Sequence, residues 1–392
     1  MEKLYFGRGK DCDNAALISF INGVFFTDDP SNREFLEILP KIYKDKYRPA
    51  YSNFVVQDEN TREFRSAIGN FYCDMTAGGE TMKACCIGNV AVGTKFRGMG
   101  YMKKLMQMSV EDMKANGTAL AYLGGQRQRY GYFGFEHAGV SFEFGFGPNC
   151  FRHSLHEMAS GFECAELSPE DIKSLEVIKK INDLKPVHAA RPVDDLDDIL
   201  RSWRQKPFTV KENGETVGYI VFNREMNAVC EFGIIDFDKL DRIVAACFET
   251  ARKVNPGTGL RFFCGSFEKE KIDFFTKNCD GIDMGGCEMI LVLDYEKVIR
   301  AYLKAEAQYK KLADGCVTVL IHGENGDENL TITVKDNAVG VEKTDNKPDV
   351  IFSHKEATRA FFSLYPNERE VFPPEVKSWL PLPMYQNGCD TM

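Results

Sequence analysis

The chain has 392 residues, with 49 Lys+Arg against 58 Asp+Glu and a formal net charge of -9. At roughly 100–200 residues per domain, that length predicts two or three domains. Hydrophobic residues at 44% and charged residues at 27% are ordinary for a folded protein and exclude disordered and fibrous classes. The acidic balance argues against a nucleic-acid partner, which needs a concentrated basic surface, and is compatible with a cationic small substrate. The sequence contains no run of about 18 apolar residues, so no membrane span is expected. The N-terminal residues lack a signal-peptide pattern, and the expected location is the cytoplasm. The 13 cysteines are never spaced CxxC and read as reduced, mostly buried thiols, with no metal site expected.

Residues 13–24 and 31–44 carry apolar positions at helical spacing, with Pro40 predicted to kink or end the second helix. Strand-like runs follow from Tyr51, Arg62 and Met82, separated by turn signals at Asp58-Glu59-Asn60 and Ala77-Gly78-Gly79. They predict an antiparallel meander. From Tyr101, the residues Met102, Leu105, Met106, Ser109 and Met113 share one helix face, and Asn116-Gly117 makes the stop. A strand from Ala119 then leads into an aromatic, glycine-rich segment, residues 126–139. This order of strands, helix and strand describes a mixed sheet.

A second unit is predicted from about residue 160, with a helix, a hairpin around Asn213-Gly214, a strand from Ala228, a helix from Lys239 and a strand from Gly259. That order repeats the first unit and suggests a duplicated architecture. From about residue 295 a helix precedes several strands, and Ser353 with Glu356 forms a capping box for a last helix. The proline- and aromatic-rich tail from Arg369 is expected to lie over the protein in extended form.

The stretch from Val90 to Met106 carries the chemistry. A strand end, two glycines and an immediate amphipathic helix direct free N–H groups to one spot, which suits phosphate. Arg97 and Lys103 add positive charge. The pattern is neither a Walker loop nor the dinucleotide fingerprint, and alone it serves equally as a glycine-permitted turn. With Lys95, Gly98 and Gly100 in its marked positions, however, the loop resembles the pyrophosphate-binding loop of the GCN5-related N-acetyltransferases (GNAT), Gln/Arg-x-x-Gly-x-Gly/Ala. Lys95 departs from that pattern at its first position. Residues 130–139 resemble the tyrosine- and phenylalanine-containing segment that follows the family's fifth strand.

A complete unit, a degenerate second unit and a small C-terminal unit together resemble the Eis (enhanced intracellular survival) family of GNATs, whose last domain is sterol-carrier-like. The resemblance implies an α/β (α+β) fold with tandem GNAT units and mixed sheets, divided as residues 1–155, 156–293 and 294–392. The second unit has Asp236, Asp238 and Asp241 where phosphate would bind, so a single cofactor site is expected.

The implied activity is acetyl-CoA-dependent N-acetylation of small cationic, aminoglycoside-like amines or of exposed lysines, by a self-associating homo-oligomer. Tyr130 maps to the general acid and the terminal carboxylate of Met392 to the general base. Val90, Ala91 and Val92 map to pantetheine contacts. Arg97, Gly98, Met99, Gly100, Tyr101, Met102 and Lys103 map to the pyrophosphate site, and Gly125 and Gln126 to the cofactor wall. Phe25, Phe26 and Asp28, between the first two helices, either line the acceptor site or serve as core and cap. His153 and His156 read as surface or linker residues, and Cys85-Cys86 as inert buried thiols. The alternative function is a noncatalytic coenzyme A- or lipid-binding protein built on the sterol-carrier-like domain.

Overall fold

The computed structural model describes residues 3–26, 34–148, 150 and 159–392. Strand β1 (Leu4–Arg8) precedes helix α1 (Asn14–Phe25). Then come β2 (Asn53–Asp58), β3 (Phe64–Ala77) and β4 (Glu80–Val92), which pair antiparallel in sequence order, as the strand-like runs and turn signals predict. Helix α2 (Tyr101–Ala115) crosses over to β5 (Leu120–Leu123), which joins β4 in parallel from Ala84↔Leu120 to Cys86↔Tyr122. The sheet is therefore mixed. Leu105, Met106, Ser109 and Met113 form the buried face of α2 as expected, and Gly117 ends the turn with φ +74°. Between α1 and β2, helical turns Glu34–Ile38 and Pro40–Tyr43 are separated at Leu39, because Pro40 starts a helix but cannot continue one.

The linear order of segments and the composition of the sheets differ at three strands, one of which, Val187–Ala189, pairs with β3 in the first sheet. Met289–Val292 inserts between β5 and Glu136–His137 in the first, eight-stranded sheet. Ser141–Phe146 leaves the first unit and lies between Gly281–Gly285 and Leu260–Gly265 in the second, seven-stranded sheet. Met289 and Leu291 pack with the apolar face of α2, while Ile290 and Val292 pack on the opposite side of the sheet. This unbroken apolar run suits a strand covered on both faces. Phe144 and Phe146 enter a second core of tilted and edge-on rings with Phe262 and Phe275. Each sheet thus contains a strand from the other segment's stretch of sequence.

The second sheet contains the hairpin predicted at Asn213-Gly214, where both residues have positive φ (+52° and +85°), as a tight two-residue turn requires. A third, four-stranded sheet (Gly315–Gly323, Gly326–Lys335, Ala338–Lys343 and Val350–Ser353) carries the helix His354–Phe362, and the Ser353/Glu356 capping box is formed. The helix Tyr295–Tyr309 packs between this sheet and the first one, with the Tyr302 and Tyr122 hydroxyls 3.1 Å apart. The tail is not simply extended. Short helical turns at Asn367–Val371 and Pro374–Lys377 precede an irregular run that enters the core, burying Trp379, Leu382, Met384 and Cys389. Pro374 occupies a first-turn position, where its fixed φ favours helix. Among the described residues, no helix is long and apolar enough to cross a membrane.

Candidate active site

β4 continues to Val92, past its last pair with β5 at Cys86↔Tyr122, whereas β5 ends at Leu123. The two parallel strands part there. A cleft of about 700 Å³ opens between the end of β4 (Val90, Val92) and the start of α2 (Gly98, Gly100, Tyr101, Met102, Lys103). The parting coincides with a bulge. The β3–β4 register shifts between Ala67 and Gly69, and Asn89 has φ +39°. A Cβ at residue 69 would lie 2.3 Å from the Phe71 ring and 2.7 Å from Asn89 Oδ1, so the bulge requires glycine there.

At the α2 end of the cleft, Gly98 and Gly100 have φ +83° and +78°, a left-handed conformation that favours glycine. A Cβ at either would meet nothing within 4 Å, so the space in front of the backbone is open to a ligand. Gly100 is the N-cap of α2 and supplies no side-chain hydrogen bond, which leaves first-turn N–H groups available at the positive end of the helix dipole. Arg97, Lys103 and Arg129 also line the cleft, and Lys103 Nζ donates to the Tyr132 hydroxyl at 3.0 Å. A polyphosphate fits these donors, and the exposed edge of β4 fits an amide-bearing chain leading from it.

Several expected cofactor residues line this cleft together: Val90, Val92, Arg97, Gly98, Gly100, Tyr101, Met102 and Lys103. Ala91 points to the other face, fully buried, and its carbonyl accepts from Ser66 Oγ at 2.8 Å. Met99 is exposed at the loop tip. Gln126 caps the helical turn Arg127–Tyr130, and Tyr130 N donates to its carbonyl at 3.1 Å. Gly125 must be glycine, because a Cβ there would come 2.5 Å from Tyr130 Cε2. Tyr130 is buried in the apolar cluster against which Val90, Tyr101 and Met102 pack. Burial raises its phenol above the ordinary value, with Arg129 opposing, so the hydroxyl is protonated at neutral pH.

A second cavity, of about 250 Å³, adjoins the first and shares Phe25 with it. Gly88 and Asn89 of β4, Phe26, Phe35, Tyr43, Trp203 and Met392 are among its lining residues. Phe25 and Phe26, expected either to line the acceptor site or to serve as core and cap, both line this cavity, whereas Asp28 lies outside the described residues, as do His153 and His156. The tail is held on both sides as it reaches this cavity. Lys41 Nζ donates to the carbonyls of Cys389 (2.6 Å) and Thr391 (2.8 Å), and Trp203 Nε1 donates to that of Thr391 (3.1 Å). Arg191 binds Asp390 through two hydrogen bonds. Burial lowers the Lys41 pKa, with Asp390 opposing. Met392 reaches β4, its Cβ lying 4.0 Å from where a Cβ on Gly88 would stand.

Sequence reasoning missed Lys41, Asn89, Arg129, Arg191 and Trp203. Arg129 lies within the segment 126–139, whereas the other four belong to no local motif and gain a role only from distant partners. Cys86 is buried as expected, but its thiol is pulled below the ordinary value by a hydrogen bond with Cys73 and by Gln386 and Lys41. In the second sheet, Asp236 accepts from Asp238 N at 3.1 Å and caps the turn preceding the helix Leu240–Val254.

Residues 14–138 match the family model described as acetyltransferase (GNAT) domain. No curated protein matches the sequence. Similar solved structures include a GCN5-related N-acetyltransferase from Anabaena variabilis, 12% identical with a TM-score of 0.70 and complete coverage of both chains. Another, from Kribbella flavida, is 14% identical with a TM-score of 0.67, over 97% of this chain and 96% of that one. Eis1 from Mycobacterium abscessus is 11% identical with a TM-score of 0.62, over 100% and 99% of the two chains. The chain therefore carries a GNAT acetyltransferase domain, an enzyme of acyl transfer from acyl-CoA to amines, within an overall fold similar to those of Eis1 and other N-acetyltransferases.

Proposed function

We propose that the protein transfers an acetyl group from acetyl-CoA to the amine of a small molecule or an exposed lysine. The observation that carries this reading is the junction on β4. Gly88 and Asn89 face an apolar cavity reached by Met392, and Val90 and Val92 face a cleft lined by arginine, lysine and an uncapped helix start. One strand thus spans a donor site and an acceptor site.

Bound acetyl-CoA supplies the thioester. Arg97, Lys103, Arg129 and the first N–H groups of α2 hold its phosphates, while Val90 and Val92 offer backbone to its pantetheine. The amine nitrogen attacks the thioester carbonyl carbon, and the carbon–sulfur bond breaks. Tyr130 gives its phenolic proton to the departing sulfur, a role suited to a hydroxyl that burial keeps protonated. Where the chain ends at Met392, its terminal carboxylate takes the proton released by the amine, directly or through water. Arg191, Lys41 and Trp203 orient that end.

We further assign three units along the chain, near residues 1–155, 156–293 and 294–392, with acyl-CoA bound only by the first. In the last unit, the sterol-carrier-like role is to position the tail. Trp379 Nε1 donates to the carbonyl of Ala313 (2.8 Å), and Lys310 Nζ donates to that of Ser378 (2.7 Å).

The test is thiol release from acetyl-CoA with a panel of amines. Amine-dependent release supports the reading. Saturable coenzyme A binding with no release for any amine would point instead to a noncatalytic coenzyme A-binding protein.

A further inference from the structure

We infer that the preferred acceptor is a small monoamine carrying one apolar or aromatic group, rather than a polycationic amino sugar. The inference rests on the reading of the β4 junction as an acetyltransfer site. The acceptor cavity has a floor of buried Phe35, Leu39, Ile42 and Tyr43, and a rim of half-exposed Phe25 and Trp203. Among its described lining residues, no side chain carries a charge. Its main polar side chain, Asn89, is already engaged. Asn89 Oδ1 accepts from the Tyr43 hydroxyl at 3.0 Å, and Nδ2 donates to Asn53 Oδ1 at 2.7 Å. Two nearby acids, Glu34 and Glu37, both pair with the single guanidinium of Arg204 and are not among the residues lining the cavity.

Three physical consequences follow. At about 250 Å³ the cavity falls just below the range of about 300–1,000 Å³ typical of drug-sized ligands, so it suits a single ring with a short arm. Aromatic walls bind an apolar group through buried area and ring packing, with the rim indole able to stack on it. Each additional ammonium of a polycation would be stripped of water with no acidic side chain among the described lining residues to receive it, which is costly. For a monoamine the same desolvation is useful. It lowers the ammonium pKa and enriches the neutral, nucleophilic form beside the Met392 end of the tail.

The experiment compares 2-phenylethylamine with kanamycin in acetyl-CoA thiol release by the full chain, and titrates 2-phenylethylamine while following tryptophan fluorescence. The chain has two tryptophans, Trp203 in the cavity rim and the buried Trp379, so a Trp203→Phe variant identifies the responding ring. The expected kcat/KM favours 2-phenylethylamine by about tenfold to a hundredfold, as for ligands that leave buried polar groups unpaired. Fluorescence should change saturably in the wild type and not in Trp203→Phe. Equal or greater kcat/KM for kanamycin overturns this inference while leaving acetyl transfer standing. A saturable Trp203 response without acetylation of any amine overturns the acetyltransferase reading but keeps the ligand class. Absence of both acetylation and response overturns both.

Discussion

Arg191 holds Asp390 by two parallel hydrogen bonds, Nε to Oδ1 at 2.9 Å and Nη2 to Oδ2 at 2.8 Å. The same guanidinium donates to both carboxylate oxygens of Glu231, at 3.0 and 2.9 Å. Its side chain is fully buried, and Lys185 adds a second cation against Glu231. A residue of the second sheet and a residue of the tail are thereby tied to one cation, two positions before Met392.

Removing that cation leaves Glu231 paired with Lys185 and takes the guanidinium from Asp390. Arg191→Met should therefore destabilise the protein by about 3–5 kcal/mol, the usual consequence of breaking a buried ion pair from one side. Thermal unfolding measures this. Asp390→Asn keeps the packing but weakens the grip. It should reduce kcat for amine acetylation with little change in acetyl-CoA affinity, a split that a purely structural role would not produce.

The same cluster sets a pH dependence. Burial alone would raise the Glu231 pKa, but Arg191 and Lys185 overcome it and hold the carboxyl well below its ordinary value. A depressed folded pKa contributes stability that is fully present above the unfolded value, about 4.3 for Glu, and is lost as pH falls toward the folded value. The melting temperature should thus be insensitive to this group above about pH 5 and should fall steeply below about pH 4. In Glu231→Gln the acid-side slope should be shallower. An unchanged slope would remove Glu231 from the account.

Tyr130→Phe tests the acid. The ring still fills its place against Gly125, so acetyl-CoA affinity should stay near the wild-type value while kcat falls by about 10²–10⁴-fold, the range for a general acid. Because burial raises this phenol, any alkaline limb of kcat assigned to it should lie above about pH 10 and vanish in the variant. Wild-type turnover would exclude Tyr130.

The end of the tail makes a separate prediction. Appending a short Gly-Ser segment after Met392 converts the carboxylate into an amide and pushes chain into a cavity of about 250 Å³. Turnover should fall by at least about tenfold. Full activity in the extended protein would exclude the terminal carboxylate as base.

Much of the fold was legible because its signals are local. The β2–β4 meander shows strand-like runs and turn residues, α2 shows a one-faced apolar stripe ended by Gly117, and the pair Gly98 and Gly100 marks a backbone conformation that side chains rarely adopt. The exchange of Met289–Val292 and Ser141–Phe146 was not legible, since a four-residue apolar run can complete any sheet with a vacant edge. The cavity proposed for the acceptor was half legible. Phe25 and Phe26 stand together in sequence, but Trp203 enters from the second unit, and Lys41 meets Cys389 across 348 positions of chain. Composition pointed to a cationic substrate, yet the net charge of -9 says nothing about the uncharged side chains among the described lining of the cavity that Met392 reaches.

The most direct test of the central claim combines acetyl-CoA binding, measured by calorimetry, with amine-dependent thiol release in wild type and Gly98→Glu. The substituted side chain would extend into the open space before the first turn of α2, bringing negative charge and an unfavourable left-handed backbone. The account predicts saturable binding and amine-dependent release in the wild type, with both lost in the variant while the thermal unfolding transition stays cooperative. Undiminished acetyl-CoA affinity in Gly98→Glu, or wild-type binding without thiol release for any amine, would contradict it.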